Sequence, residues 1–289
     1  MLDFFRDPMA WIDEWIRGLL IDGIISSFEE TFSAFSHEVE QISENIGHTP
    51  QSFNPNIFNM VRGLSETVIV PIAGVILAFV VSYELITMIM EKNNMHDFDT
   101  WIFMKWIIKT FIAINLVTNA FGIVNLIFTL AQTAVQGSAA YLGAEVTLNV
   151  DLVELETVLW DMGMGQLINL QLQMGLLSLA IRIMGIMVFI LINARMLEIY
   201  ILTSIGPIPL SLITNKDYGS IGHSWIKSLA ALAFQAFLIM VCVAIYGAII
   251  SSVDVTAGIG FMWTTVAYTI LLIMMLWKTG SISKSVFGV

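Results

Sequence analysis

Charged side chains are scarce in this sequence, at 12% of 289 residues, whereas hydrophobic residues make up 57%. A soluble domain carries about twice that share of charge. A fold of this length could not cover its outside with so few charges, so lipid is the simplest solvent for its surface. The scarcity argues against an ordinary soluble domain and predicts an all-α, polytopic membrane protein.

Basic residues are fewer still, since 12 Lys and Arg stand against 23 Asp and Glu and give a net charge of -11. A broad grip on nucleic-acid phosphates needs clustered basic side chains, so any contact with DNA is expected to be local and transient. The single cysteine, Cys242, lies in an apolar run and excludes an internal disulfide or a Cys/His metal cluster.

Motifs of known enzymes are missing from the sequence: it has no phosphate-binding lysine loop, no zinc-binding His-Glu-x-x-His and no dinucleotide glycine fingerprint. The stretch Gly219–Gly222, followed by His223, lacks the spacing of a nucleophile elbow and indicates a turn that leads into a helix. We therefore expect no catalytic, cofactor-binding or metal-binding residue, and no enzyme.

Residues 1–62 differ from the rest because they are acidic and lack a spanning run. We expect an extracytoplasmic segment with an amphipathic helix that lies at the membrane interface or on a partner, followed by a linker over residues 48–56. The apolar face of that helix comprises Ile12, Trp15, Ile16, Leu19 and Leu20.

Residues 63–289 contain the long apolar runs and are predicted to form the transmembrane domain. A helix needs about 20 apolar residues to cross a bilayer. A further stretch, 197–214, carries Gly206, Pro207 and Pro209, and broken backbone at membrane depth must be buried in protein or face water. We interpret it as a re-entrant or interfacial element. The five predicted spans are about 65–90, 106–133, 170–194, 228–250 and 260–277.

Loop charges predict the orientation. The loop 136–165 carries acidic residues and no Lys or Arg, whereas basic residues gather at the opposite ends of the spans. The positive-inside rule then places the protein in the cytoplasmic membrane with the N-terminus outside and the C-terminus in the cytoplasm. The basic residues at the inner ends are Lys92, Lys105, Lys109, Arg195, Lys216, Lys227, Lys278 and Lys284.

Polar side chains within the predicted spans are the candidate functional residues. Glu84 is expected either to reach the inner surface or to pair with Arg182, and Arg182 to face a bundle interior, a subunit interface or a wet lumen. Gln235 is expected to form a hydrogen bond between helices.

The segment Ile205–Leu210, the helix start at Trp225, and the upstream Arg182 and Arg195 together resemble the TrbL-like family. These are polytopic inner-membrane components of conjugative type IV secretion systems. The likeness covers residues 64–280, and the short C-terminus is similar to that of Gram-positive forms. It implies a non-catalytic channel or platform subunit in a homo-oligomeric ring, working with ATPases and extracytoplasmic components, with Gly206, Pro207, Pro209 and Trp225 in assembly roles.

Two other functions stay open at the level of sequence. A secondary transporter would explain the broken helix and the intramembrane charges, but a matching break in a second half is missing from the sequence. A membrane scaffold without a pore would explain the same helices. Oligomeric state separates them, since a stable ring disfavours the transporter.

Overall fold

The computed structural model describes residues 8–91, 100–142, 152–252 and 259–289. Within these ranges every regular element is a helix, and five helices are long and apolar enough to cross a membrane. This confirms the predicted all-α membrane architecture. The helices are α1 (Pro8–Ile46), α2 (Pro50–Phe53), α3 (Pro55–Leu64), α4 (Val70–Glu91), α5 (Thr100–Thr118), α6 (Ala120–Leu142), α7 (Leu152–Asp161), α8 (Met164–Ser204), α9 (Pro207–Leu212), α10 (Gly219–Ser251) and α11 (Ile259–Phe287), with a π-helical turn over Ser65–Ile69.

The candidate spans differ in places from the predicted ones. The first extends back to Pro55, and the third continues beyond residue 194 to Ser204, so residues 197–204 are helical and not part of the broken stretch. The break begins at Gly206 and Pro207, because proline cannot continue a helix. The Leu, Ile and Tyr residues that precede them are compatible with a helix, so α8 continues as far as Ser204. The candidate spans are Pro55–Met90, Ala120–Gly137, Met164–Ser204, Gly219–Ile250 and Trp263–Phe287.

The predicted span 106–133 is divided at Asn119, where α5 ends and α6 begins. Side chains compete for backbone carbonyls at this point: Asn115 Nδ2 donates to Phe111 O at 2.8 Å, and Asn119 Nδ2 donates to Asn115 O at 3.1 Å. Thr118 donates to Ile114 O at 2.9 Å. Such back-bonding weakens a helical ladder. The backbone bonds nevertheless continue through this point, since Asn119 N donates to Asn115 O at 3.0 Å and Ile123 N donates to Asn119 O at 3.1 Å.

The chain forms two compact units, to both of which α8, α10 and α11 contribute residues. The first unit comprises 1–44, 138–191 and 239–278, with α1 placed beside α7 and α8 by Arg17 Nη1, which donates to Trp160 O at 3.1 Å. Ile21, Ile24 and Phe28 form the buried face of α1, whereas the predicted apolar face at Trp15 and Leu19 is exposed.

The second unit comprises 45–137, 192–238 and 279–289. Its core joins α3 to α6 with the end of α8, α9 and the start of α10. Leu210 of α9 is fully buried there, and α9 packs against both α4 and α5. This packing holds the broken stretch inside protein.

Candidate functional site

The Gly–Pro corner, residues Gly206–Leu210 together with Trp225, lies where α8 turns into α9. Pro207 and Pro209 are buried, and Pro207 occupies the first helical position of α9, where its missing N–H costs nothing. Gly206 has φ −51° and ψ −38°, values that any residue adopts. Glycine is therefore required at this position by space and not by backbone conformation.

Trp225 fills that space. A Cβ at Gly206 would lie 2.5 Å from Trp225 Cζ2, closer than real atoms approach. The indole Nε1 donates to Leu202 O at 2.9 Å and so satisfies a carbonyl in the last turn of α8, which lacks a partner within its own helix. The predicted pair of features, the Gly-Pro break and Trp225, is thus one contact.

The turn from α9 into α10 is equally tight. A Cβ at Gly222 would lie 2.6 Å from Pro209 O, and a Cβ at Gly219 would lie 2.8 Å from Ile213 O. Asn215 Oδ1 accepts hydrogen bonds from Asp217 N at 2.9 Å and Tyr218 N at 3.0 Å. Sequence reasoning identified the turn but missed Asn215 and the steric role of both glycines, for which the Asn-x-Asp spacing was the available signal.

A buried polar layer in the second unit joins α8, α10 and α11. Arg195 is 4% exposed, and its Nε donates to Leu232 O at 3.0 Å. One turn along α10, Gln235 Nε2 donates to Thr279 Oγ1 at 3.4 Å, and Ser283 Oγ donates to Ala231 O. The structure thus places Arg195 of α8 against Leu232 of α10, one turn before Gln235. The sequence analysis missed Thr279 and Ser283, although their i, i+4 spacing was visible.

Glu84 pairs with Lys109 within the second unit, a partner that was not predicted. Glu84 Oε1 accepts from Lys109 Nζ at 2.7 Å, and Trp106 Nε1 donates to Val81 O at 3.1 Å, so both contacts tie α4 to α5. Lys109 lies close to Glu84 because α4 and α5 follow each other in the chain and pack side by side.

Arg182 contacts a different acid, in the first unit. Its Nη2 lies 3.6 Å from Glu30 Oε1 of α1, and the two side chains are 70% and 77% exposed. The bundle interior is therefore excluded for Arg182 within the unit. A subunit interface and a wet lumen remain.

The described residues contain no group of three His, Cys, Asp or Glu side chains placed to hold a metal ion. The contacts above are all of kinds that fix helices to one another. Together with the five candidate spans, they define a multi-pass helical membrane protein with a rigid, internally bonded corner.

Comparison with known proteins places the chain more narrowly. Residues 35–207, more than half of the chain, match the family described as TrbL/VirB6 plasmid conjugal transfer like protein. The chain belongs to that family, whose members are membrane components of conjugal transfer and work with the other transfer components. The comparisons with curated proteins and with solved structures produced no match.

Proposed function

We propose that this protein is a non-catalytic channel or platform subunit of a conjugative type IV secretion machine. The family match over residues 35–207 is the observation that carries the proposal. In this role the protein assembles as a ring of copies in the cytoplasmic membrane, and ATPases of the machine supply the energy for substrate passage.

The orientation follows from charge. Lys216 and Lys227 are exposed beside the turn that joins α9 to α10, and Lys284 is exposed near the end of α11. The positive-inside rule assigns these residues to the cytoplasmic side, so the acidic α1 begins outside and engages extracytoplasmic components.

The Gly–Pro corner supplies a rigid element in this proposal. Pro207, Pro209 and Leu210 are buried against neighbouring helices, and Trp225 locks the corner onto α8. Such an element keeps a fixed shape while substrate passes, so it suits a constriction wall or a subunit contact.

The net charge of -11 limits the part that DNA plays. Phosphate contacts raise affinity through Lys and Arg, and acidic surfaces repel the same groups. We therefore propose that DNA passes with brief contacts at most, which lets a strand slide without being held.

The test is deletion of the gene in a donor strain, with transfer frequency measured before and after complementation. The proposal expects a loss of at least a hundredfold in the deletion and recovery with the wild-type chain. Complementation by the Gly222→Val variant should fail, and that by the Gly122→Ala variant, where an added Cβ meets no atom within 4 Å, should succeed. Unimpaired transfer in the deletion strain would overturn the proposal.

A second measurement tests the ring. The protein is purified in detergent and its mass is determined by native mass spectrometry. A defined oligomer is expected. A stable monomer that binds a small solute contradicts the ring and supports a transporter.

A further inference from the structure

Arg182 lies in the middle of the predicted third span, residues 170–194. It is the sole charged residue between Met164 and Ala194, and any stretch of about 20 residues chosen within that range includes it. A stretch that starts after Arg182 takes in Arg195 and Glu198 instead. The pairs Arg62–Glu66 and Lys109–Glu84 differ from it. Arg62, Glu66 and Glu84 lie toward the ends of the candidate span Pro55–Met90, and Lys109 lies near the start of the predicted span 106–133.

Arg182 is also open on the side of the protein. The guanidinium is 70% exposed and lies 3.6 Å from a Glu30 carboxylate that is 77% exposed. Charges at bilayer depth are costly unless they face protein or water. Within the predicted span, therefore, bare lipid is a costly cover for this face.

The helix carries an unfilled packing seam next to Arg182. Six exposed apolar side chains follow one another at alternating spacings of four and three residues, the spacing of a helix-packing seam. A water-filled lumen would expose the apolar stripe to water, and lipid would leave the charge of Arg182 without a polar partner. Another helix with an acidic side chain can cover the stripe and pair with Arg182. The stripe comprises Leu172, Leu176, Leu179, Ile183, Ile186 and Ile190.

The first unit also presents the complementary charge. Exposed Asp22, Ser26, Glu29 and Ser33 recur at four- and three-residue spacing and so share one face of α1. Gln171 Nε2 donates to Ser27 Oγ at 3.4 Å, and Glu30 lies at Arg182, so this acidic face runs at the level of residues 171–182 of α8. A carboxylate there is as costly in lipid as Arg182 is, and each would satisfy the other.

We propose that the apolar stripe of α8 and the acidic face of α1, together called the α1–α8 seam, form the contact between copies of the chain. The apolar stripe of α8 in one copy packs beside α1 of the next, and Arg182 pairs with Glu29 of that neighbour. The two surfaces differ, so the contact is head-to-tail and closes into a ring when the rotation permits. This inference rests on the proposed ring of copies and names the surface that forms it.

The first experiment is cross-linking between copies. In a Cys242→Ser background, Arg182→Cys with one tag is expressed together with Glu29→Cys with another tag in the same membranes. A thiol cross-linker is expected to join the two tags, whereas Leu126→Cys, which is 61% exposed on α6, should give no product with either partner. Absence of the Arg182–Glu29 product, with both thiols shown to be reactive, overturns the proposal.

Charge reversal separates this contact from the internal pair. Arg182→Glu should lower the oligomer fraction at least tenfold, and Arg182→Glu with Glu29→Arg should restore it. Restoration by Glu30→Arg but not by Glu29→Arg would show that the pair works only within one copy and would overturn the interface. An unchanged oligomer in Arg182→Glu would do the same.

Transfer assays keep this inference separate from the proposed function. Cross-links and charge rescue in a chain whose deletion leaves transfer intact support the interface and remove the secretion role. Impaired transfer in the deletion strain, with no Arg182–Glu29 contact, retains the role and removes this interface.

Discussion

The two arginines of α8 differ in burial and in the partners of their side chains. Arg195 is 4% exposed and donates to a carbonyl of its own chain, whereas Arg182 is 70% exposed beside a carboxylate at 3.6 Å. The bond to Leu232 O offsets part of the desolvation cost of Arg195, whose Nη1 is buried without a hydrogen-bond partner. Within the predicted span, an open cation such as Arg182 needs a partner from outside its own unit. On the proposed interface, Arg195 then serves the single chain and Arg182 serves the contact between copies.

The Gly–Pro corner and the α1–α8 seam also differ in the space around their glycines. At the Gly–Pro corner, Gly206 and Gly222 lie so close to other atoms that a Cβ would collide with them, whereas a Cβ at Gly175 in the α1–α8 seam meets nothing within 4 Å. A region closed by its own chain needs the smallest residue. A region open to a neighbour does not.

The largest expected effect comes from enlarging a glycine at the corner. In Gly222→Val the first added carbon would lie 2.6 Å from Pro209 O, a backbone atom that cannot turn aside. Overpacking costs about 1–3 kcal/mol and more against rigid backbone, so little folded protein should survive in detergent. Size-exclusion chromatography of a fluorescent fusion measures the folded yield.

The matched variant is Gly175→Val, which should keep the wild-type yield of folded chain because its site is open. Equal losses in both variants would erase the distinction between a closed corner and an open seam.

The second effect concerns the arginines. Arg195→Ala removes a buried side chain and its bond to Leu232 O, which should cost about 3 kcal/mol by the cavity it leaves. Arg182→Ala should change the stability of the monomer by less than about 0.5 kcal/mol, as exposed positions do. The apparent melting temperature in detergent, at a concentration where each variant is monomeric, provides the comparison. A larger drop for Arg182→Ala would reverse the assignment.

The sequence was sufficient for the class of fold because composition alone determines the solvent. Its apolar runs predicted five spans. The Gly-Pro pair located the break between α8 and α9, although the predicted broken stretch began too early, at residue 197. The boundary between α5 and α6 at Asn119, where side chains also bond to backbone carbonyls, was harder to predict, since Asn and Thr occur in continuous helices as well.

Long-range partners were beyond the reach of sequence reasoning. Depth estimates suggested a Glu84–Arg182 pair. Which helices are neighbours depends on packing, and within their own units Glu84 contacts Lys109 and Arg182 contacts Glu30. Thr279, whose Oγ1 accepts from Gln235, and Ser283, which donates to Ala231 O, were overlooked for the same reason, because the sequence does not show which side chains of α11 face α10. Gln235 was predictable because a buried amide must find a hydrogen-bond partner.

The smallest expected effect tests the indole that fastens the corner. Trp225→Phe removes the donor to Leu202 O but keeps an aromatic ring against Gly206, so the loss should be about 0.5–1.5 kcal/mol. Trp15→Phe, at a side chain 58% exposed on α1, should leave the melting temperature unchanged. If the Trp225 variant melts with the wild type, the corner is held by shape and its hydrogen bond adds nothing measurable. If the Trp15 variant melts lower, α1 is packed more closely than the open seam allows.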